Sequence, residues 1–289
     1  MRPRIGVVGV GYMGLPIAQR LSDQGYAVTV RDVDARRVAL AAPLPAAPDT
    51  ATLAARCDAL VVVVVDARQT DEVLFGARGA VDALRPGQAV LLCPTIGPDD
   101  AERFAAALQA RGIDAIDAPM SGGPARARDG TMSLMVACPD AVFARHEPLL
   151  RTMAARLLRV GTRAGDGART KLVNNLLAAI NLAGAAEALA LAVSLGLDAA
   201  RTLEVIEQSS GQSWIATDRL RRALAGDDTL QAATALLAKD AALALTAARA
   251  AGPEPTLGAA AAAVFARACA DGDAARDDAC LFERALSRR

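Results

Sequence analysis

The sequence predicts a doubly wound α/β domain with a mainly parallel sheet over residues 1–163, followed by an all-α domain over residues 164–289, the two joined by a long interdomain helix at about residues 170–195. Three observations carry this prediction. Short apolar runs alternate with helical patterns for more than a hundred residues, as parallel strands covered by helices do. A glycine-rich turn, Gly9-Val10-Gly11-Tyr12-Met13-Gly14, joins the first apolar run to the first helical pattern. From Lys171 onward no strand pattern is present, and glycines at 196, 211, 226, 252 and 272 punctuate helix-periodic segments.

Residues 5–10 are a short apolar strand, and Leu15, Ala18 and Leu21 continue at helical spacing. The GxGxxG between them therefore stands in the strand-to-helix context that gives it meaning. Gly9 permits the tight turn, Gly11 lets the backbone approach a pyrophosphate, and Gly14 allows close packing of helix on strand. Backbone amides of the turn, including those of Tyr12 and Met13, then face a negative charge at the helix N-terminus. The next strand, residues 27–30, leads to Asp32, eighteen residues past Gly14. An acid there is placed to accept hydrogen bonds from an adenosine ribose and to repel the 2′-phosphate of NADP. NAD is the expected cofactor, with NADP admitted because Arg31, Arg36 and Arg37 lie nearby and soften the discrimination. A glycine turn with a stray surface acid is the competing reading.

Asp34 reads as an N-cap for a helix through Val38, and Pro43, Pro45 and Pro48 mark a loop. Residues 59–65 are apolar on both faces, as a buried parallel strand requires. Helix 69–75, strand 89–93, helix 99–111 and strand 113–117 continue the alternation. Ligands of such sheets gather beyond the carboxyl ends of the strands, so Val65, Asp66, Thr95 and the loop after Asp117 are candidates to line a site. Helix capping is the alternative role for Asp66 and Thr95. In Asp117-Ala-Pro-Met-Ser121-Gly122-Gly123-Pro124, adjacent glycines offer free amides and Ser121 adds a hydroxyl, together a nest for an anion. Residues 132–136, a helix from 141 and residues 157–160 finish the domain. His146, between Arg145 and Glu147, reads as a surface residue.

The helices expected after that are 170–195, 198–209, 214–224, 230–251, 256–271 and 277–286. On the first of them Lys171 shares a face with Asn174 and Asn175, so one amine and two amides point the same way. Lys171 and Lys239 are the only lysines among 32 basic residues, the rest being arginine. A retained lysine suits a role arginine cannot fill, because lysine loses its proton near neutral pH once desolvated. A solvated lysine at a helix start is the plain alternative.

Composition excludes several classes. With 32 acidic and 32 basic residues and no block of like charge, nothing recruits nucleic acid or an anionic membrane. The 53% hydrophobic share with only 3% aromatic implies a core of alanine, leucine and valine. Cys57, Cys93, Cys138, Cys269 and Cys280 are scattered and odd in number, and with a single histidine they suggest neither a disulfide framework nor a metal site. They read as buried thiols of a cytoplasmic protein, and the immediate start of a patterned strand leaves no room for a signal peptide. Residues 176–197 approach membrane-spanning length, yet Asn181, Gly184, Glu187 and many alanines favour a buried soluble helix.

Three separated segments, GVVGVGYMGLPIA, DAPMSGGPARARDGT and GDGARTKLVNN, resemble in order and separation the 3-hydroxyisobutyrate dehydrogenase-like (β-hydroxyacid dehydrogenase) family. The resemblance spans essentially the whole chain. It implies a Rossmann domain, a helical domain beyond a long connecting helix, an NAD(P) cofactor, a small hydroxy-acid substrate, and a homodimer or homotetramer. It places the catalytic lysine on Lys171, the hydroxyl-orienting asparagine on Asn175 and the substrate-carboxylate loop on Ser121, Gly122 and Gly123. A second lysine, near cofactor and substrate, falls on Lys239. Within the family, VVVVVDARQTDEVLFG and SSGQSWIATDRL, the latter with Trp214, look most like the L-threonate dehydrogenase branch, which oxidises a four-carbon sugar acid at C2. Asp66, Asn175 and Cys93-Pro94 depart from that branch. The alternatives are a reductase of a small aldehyde acid (tartronate or succinate semialdehyde), a 3-hydroxyisobutyrate dehydrogenase, or a non-catalytic dinucleotide sensor.

Overall fold

A computed structural model describes residues 2–252 and 255–287, which fall into two units, Met1–Lys171 and Leu172–Arg289. The first unit runs β1 (Arg4–Val8), α1 (Gly14–Asp23), β2 (Ala27–Arg31), α2 (Ala35–Leu40), α3 (Thr50–Arg56), β3 (Ala59–Val62), α4 (Ala67–Phe75), β4 (Ala89–Leu92), α5 (Pro98–Gln109), β5 (Asp114–Asp117), β6 (Met120–Ser121), α6 (Gly123–Asp129), β7 (Ser133–Ala137), α7 (Asp140–Met153) and β8 (Arg156–Gly161). The strands form one sheet in the order β2-β1-β3-β4-β5-β7-β6, with β8 beside β7. The first five are parallel, and β7 runs antiparallel to β5 and β6. This is the Rossmann-type domain the alternation predicts.

Side chains of a strand alternate between faces, and the two layers of core follow that period. Ile5 and Val7 pack with Ile17, Leu21 and Leu150 of α1 and α7 on one face. Val8 joins Leu53, Leu74, Phe104 and Leu108 of α3, α4 and α5 on the other. The helices start on local carboxylates: Asp34, Asp49 and Asp66 each accept from a backbone amide of α2, α3 and α4 respectively. Pro98 with Asp99 and Asp100 opens α5 in the same spirit.

Three short elements exceed the sequence reading. α3 follows the proline loop with only Leu53 and Ala54 buried, too few to show a period. β6 pairs just two residues with β7. α6 begins at Gly123, inside what reads as loop, because Gly122 at φ 140° turns the chain and Pro124 suits a helix start. His146 is also corrected. Its side chain is 13% exposed and its Nε2 lies 2.8 Å from Asp114 Oδ2, since α7 packs over β5.

α8 (Asp166–Ser194) is the long helix, and its residues from Leu172 onward belong to the second unit. It starts four residues earlier than expected, and the reason lies in the site below. The second unit continues with α9 (Ala199–Glu207), α10 (Trp214–Leu224), α11 (Thr234–Ala251), α12 (Thr256–Ala268), a π-helical turn at Cys269–Asp273, a 3-10 turn at Asp278–Cys280 and α13 (Leu281–Ser287). No named strand is present among its described residues. α11 starts later than residue 230 because the amides of Gln231 and Ala232 bond to buried Asp277. The helix expected to reach residue 271 breaks as Gly272 takes φ 103°. Ala179, Leu182, Ala186 and Leu189 of α8 pack with Leu203, Leu220, Ala241, Phe265 and Phe282. α8 has the length and mean hydropathy, 1.9, of a membrane span, yet this face sits in the helical core. Its other face exposes Val173, Leu177 and Leu191, with exposed Leu195 just past its end.

Candidate active site

In the first unit, parallel register sets the candidate residues at one edge of the sheet. Val8 is level with Arg31 and Val62, Val62 with Leu92, and Leu92 with Asp117. The segments holding Gly9 to Gly14, Asp32, Val65 and Asp66, Thr95 and Ser121 all leave from that line. The strand order reverses at β1 and β3, the place beyond which ligands of such sheets bind.

The glycine turn is built for a ligand rather than for a side chain. Gly9 has φ 86°, and a Cβ there would sit 2.2 Å from the Val63 carbonyl oxygen. A Cβ on Gly14 would sit 1.7 Å from the Gly9 carbonyl oxygen, whereas one on Gly11 would meet nothing within 4 Å. The turn is thus locked at both ends and open in the middle. Met13 at the start of α1 gives no side-chain cap, and no acid occupies the first turn of the helix, so its N-terminal field is left for an anion. These features fit a dinucleotide pyrophosphate.

Asp32 is fastened to this turn. Its Oδ2 accepts from the Val10 amide at 2.8 Å and its Oδ1 from the Asp34 amide at 2.9 Å. Each oxygen keeps a further lone pair for a ribose hydroxyl. The nearby arginines are engaged elsewhere: Arg36 pairs with Asp34 at 2.9 Å, Arg37 lies 4.8 Å from the centre of the Tyr12 ring, and Arg31 donates to the Asp32 carbonyl.

Asp66 is the N-cap of α4, accepting from Gln69 N at 2.7 Å, while the Val65 amide donates to Gln69 Oε1 at 2.9 Å. Thr95 follows β4, half-buried. Ser121 ends β6 opposite Ser133, which holds its backbone in place. Gly122 and Gly123 both take positive φ, 140° and 76°, and a Cβ on Gly123 would meet nothing within 4 Å. The turn is thus open at Gly123, whereas a Cβ on Gly122 would meet Arg126 and Met132 at 3.1 Å.

Lys171 lies six residues into α8 and is only 7% exposed. A long amine so desolvated is in the setting where its proton can be exchanged. The first turn of α8 is held from β5: Asp117 Oδ2 accepts from Gly165 N at 2.8 Å and from Ala168 N at 3.1 Å. Asp117 is 2% exposed. Burial pushes its carboxyl up to about 6, against the lowering by the amides of Ala168, Gly165 and Gly167. These bonds explain why α8 starts at Asp166 despite the glycines around it.

In the second unit, Asn175 and Lys239 converge on one buried carboxylate, and Asn174 bonds to Asn175. Asn175 Nδ2 donates to Asp240 Oδ2 at 2.6 Å, Lys239 Nζ donates to Asp240 Oδ1 at 2.6 Å, and Asn174 Nδ2 donates to Asn175 Oδ1 at 3.0 Å. Because an ionised carboxylate only accepts, Asp240 fixes which way the Asn175 amide faces. Trp214 opens α10 and is half-exposed. Asp117 and Asp240 were not found from the sequence. The available signal for Asp240 was a lone acid beside a rare lysine on an alanine-leucine helix. Burial pushes the thiols of Cys57 and Cys138 up to about 11. Among the described residues no cluster could hold a metal.

A strand-to-helix glycine turn, an acid bonded to that turn and a buried lysine on α8 are features of dinucleotide-dependent dehydrogenases, and known proteins make the class specific. Residues 4–161 match the family described as the NAD binding domain of 6-phosphogluconate dehydrogenase. Residues 165–284 match the one described as the NAD-binding domain of NADP-dependent 3-hydroxyisobutyrate dehydrogenase. L-threonate dehydrogenase of Cupriavidus necator is 37% identical over 286 residues, covering 98% of this chain and 96% of that protein. 3-Hydroxyisobutyrate dehydrogenase of Pseudomonas aeruginosa is 38% identical over 212 residues, covering 73% and 71%. A crystal structure titled 3-hydroxyisobutyrate dehydrogenase from Salmonella typhimurium superposes with a TM-score of 0.89 at 32% identity, covering 97% of this chain and 99% of that one. The chain belongs to the 3-hydroxyisobutyrate dehydrogenase-like family, near the L-threonate dehydrogenases, and is an NAD(P)-dependent oxidoreductase.

Proposed function

We propose that this enzyme oxidises a small hydroxy acid with NAD, a four-carbon sugar acid such as L-threonate at C2, with Lys171 as the proton acceptor. The observation that carries the chemistry is a lysine 7% exposed, one helical turn before an asparagine whose amide is held by Asp240. The substrate class rests on the 37% identity to an L-threonate dehydrogenase across 98% of this chain. In this reading residues 1–163 bind the dinucleotide through Gly9, Gly11, Tyr12, Met13, Gly14, Asp32, Val65, Asp66 and Thr95. Residues 164–289 serve substrate binding and assembly.

A dinucleotide held by residues 1–163 would supply the hydride acceptor for the carbinol carbon. The substrate carboxylate rests on Ser121, Gly122 and Gly123, which fixes the carbinol in place. Lys171 accepts the hydroxyl proton, and the remaining Nδ2 hydrogen of Asn175 orients the oxygen. Asn174, Trp214 and Lys239 complete the substrate and cofactor contacts, Lys239 balanced by Asp240. In reduction Lys171 returns the proton, so the same residues serve an aldehyde acid. A 3-hydroxyisobutyrate-type substrate is the second reading, supported by 38% identity to such an enzyme over 73% of this chain.

The test is Lys171→Arg, assayed by nicotinamide absorbance against a panel of hydroxy acids. Arginine keeps the charge but not the titration, so activity should fall by roughly a hundred- to ten-thousand-fold with NAD affinity unchanged. Retention of more than about a tenth of the rate would reduce Lys171 to an electrostatic anchor.

A further inference from the structure

We infer that Asp117 is a positioning residue that sets the place of Lys171 relative to the Ser121-Gly122-Gly123 turn. Four aspartates at other helix starts act locally. Asp34, Asp49, Asp66 and Asp198 each bond to an amide two or three residues on. α8 is capped instead from 48 and 51 residues away, by a carboxylate at the end of β5. Both bonds fall on one oxygen, Oδ2, and Asp117 is 2% exposed, so water cannot replace it cheaply.

The position of this residue in the chain gives it two outputs. Four residues after it comes Ser121, on a strand pair that fixes the following glycines. Across its hydrogen bonds come Gly165 and Ala168, and Lys171 is the next residue along the same helical face from Ala168. In the α-helical ladder the Lys171 amide bonds back to Gly167, which lies against the same carboxylate. A Cβ on Gly167 would sit 2.8 Å from Asp117 Cγ, so the glycine is what admits the carboxylate to the helix end. One side chain thereby fixes the spacing between the turn that holds the substrate's acid group and the amine that takes its proton. Reacting groups displaced by about 1 Å can lose roughly a hundredfold in rate, which makes such a strut consequential.

The inference rests on the proposed role of Lys171, and the test separates the two. Asp117→Asn keeps a carbonyl oxygen able to accept both amides, whereas Asp117→Ala removes it. Gly167→Ala displaces the carboxylate while leaving it in the chain. Expected are a fall in kcat of about tenfold to a hundredfold in Asp117→Ala and Gly167→Ala, a kcat within about threefold of wild type in Asp117→Asn, and NAD dissociation constants unchanged in all three. A merely structural role would lower the folded, NAD-binding fraction and leave kcat per bound site intact, and that outcome overturns the inference. So does an equal loss in Asp117→Asn and Asp117→Ala. Lys171→Ala is the control on the underlying reading: if it stays active, the proposed function fails. The placement of Lys171 is then read directly from its rate of acylation by acetic anhydride, followed by mass spectrometry. That rate should change in Asp117→Ala and not in Asp117→Asn, and no change in either refutes the strut.

Discussion

Replacing Asp117 by asparagine should make stability less sensitive to pH, in a direction the burial of the carboxyl dictates. In the folded protein burial pushes this group from 3.8 to about 6. The folded chain therefore binds its proton more tightly than the unfolded chain does. The stabilisation this represents is complete below about pH 4 and is lost as pH rises through about 6. At about 1.4 kcal/mol per pH unit the whole effect is about 3 kcal/mol, of which about 2 kcal/mol lies between pH 4.5 and 7.5. Asparagine presents the same carbonyl acceptor to Gly165 and Ala168 but never ionises, so it escapes that loss. Relative to wild type, Asp117→Asn should gain about 2 kcal/mol over this range as pH increases. Asp278, also pushed to about 6 by burial, is present in both proteins and cancels in the difference. The measurement is the urea-unfolding midpoint by circular dichroism at both pH values, in both proteins. A difference that stays flat, or that moves in favour of the wild type with rising pH, would refute the account of Asp117 as a buried acid held by amides.

Two more outcomes follow from the geometry. Asp32→Ser removes the ribose acceptor and the bond to Val10 at 2.8 Å, so the ratio of kcat/KM for NAD over NADP should fall at least about tenfold; a wild-type preference for NADP would mean that Asp32 serves only the turn. Val173, Leu177 and Leu191 of α8 and Leu195 just beyond it are exposed apolar side chains, which we read as buried between copies of the chain. Light scattering should give at least a dimer at micromolar concentration, Leu177→Glu with Leu191→Glu should dissociate it, and a monomeric wild type would sink the idea.

Much of the fold was legible because it is written in short-range pattern. Residues 59–62 and 89–92 are apolar on both faces because helices cover both sides of their sheet. The dinucleotide turn was equally legible, since its three glycines stand at fixed spacing between one strand and one helix, even though the carbonyl that bars a Cβ at Gly9 belongs to distant Val63 while the one that bars it at Gly14 is that of Gly9. What the sequence hid is pairwise and distant. Two-residue β6 and seven-residue α3 and α6 are too short to carry a period. Gly165 and Gly167 argue locally against a helix, which is why the start of α8 reads as residue 170; an acceptor 48 residues upstream overrides them.

The same distinction separates the groups proposed to react from the groups that hold them. Lys171 and Asn175 were visible because their types are unusual and their spacing is helical. Asp117 and Asp240 were not, because an aspartate at a strand end or on a helix is ordinary until its neighbours are known. Yet each does what its partners cannot do for themselves. Without Asp240 the Asn175 amide has no acceptor to choose its orientation, and Lys239 loses the carboxylate 2.6 Å away. Without Asp117 the amides of Gly165 and Ala168 are left buried and unpaired at the start of the helix that bears the lysine, at a cost of about 1–3 kcal/mol each. In each unit a common acid thus holds the groups around it, Asp117 in the first and Asp240 in the second, and burial is what distinguishes these two from the surface carboxylates elsewhere in the chain.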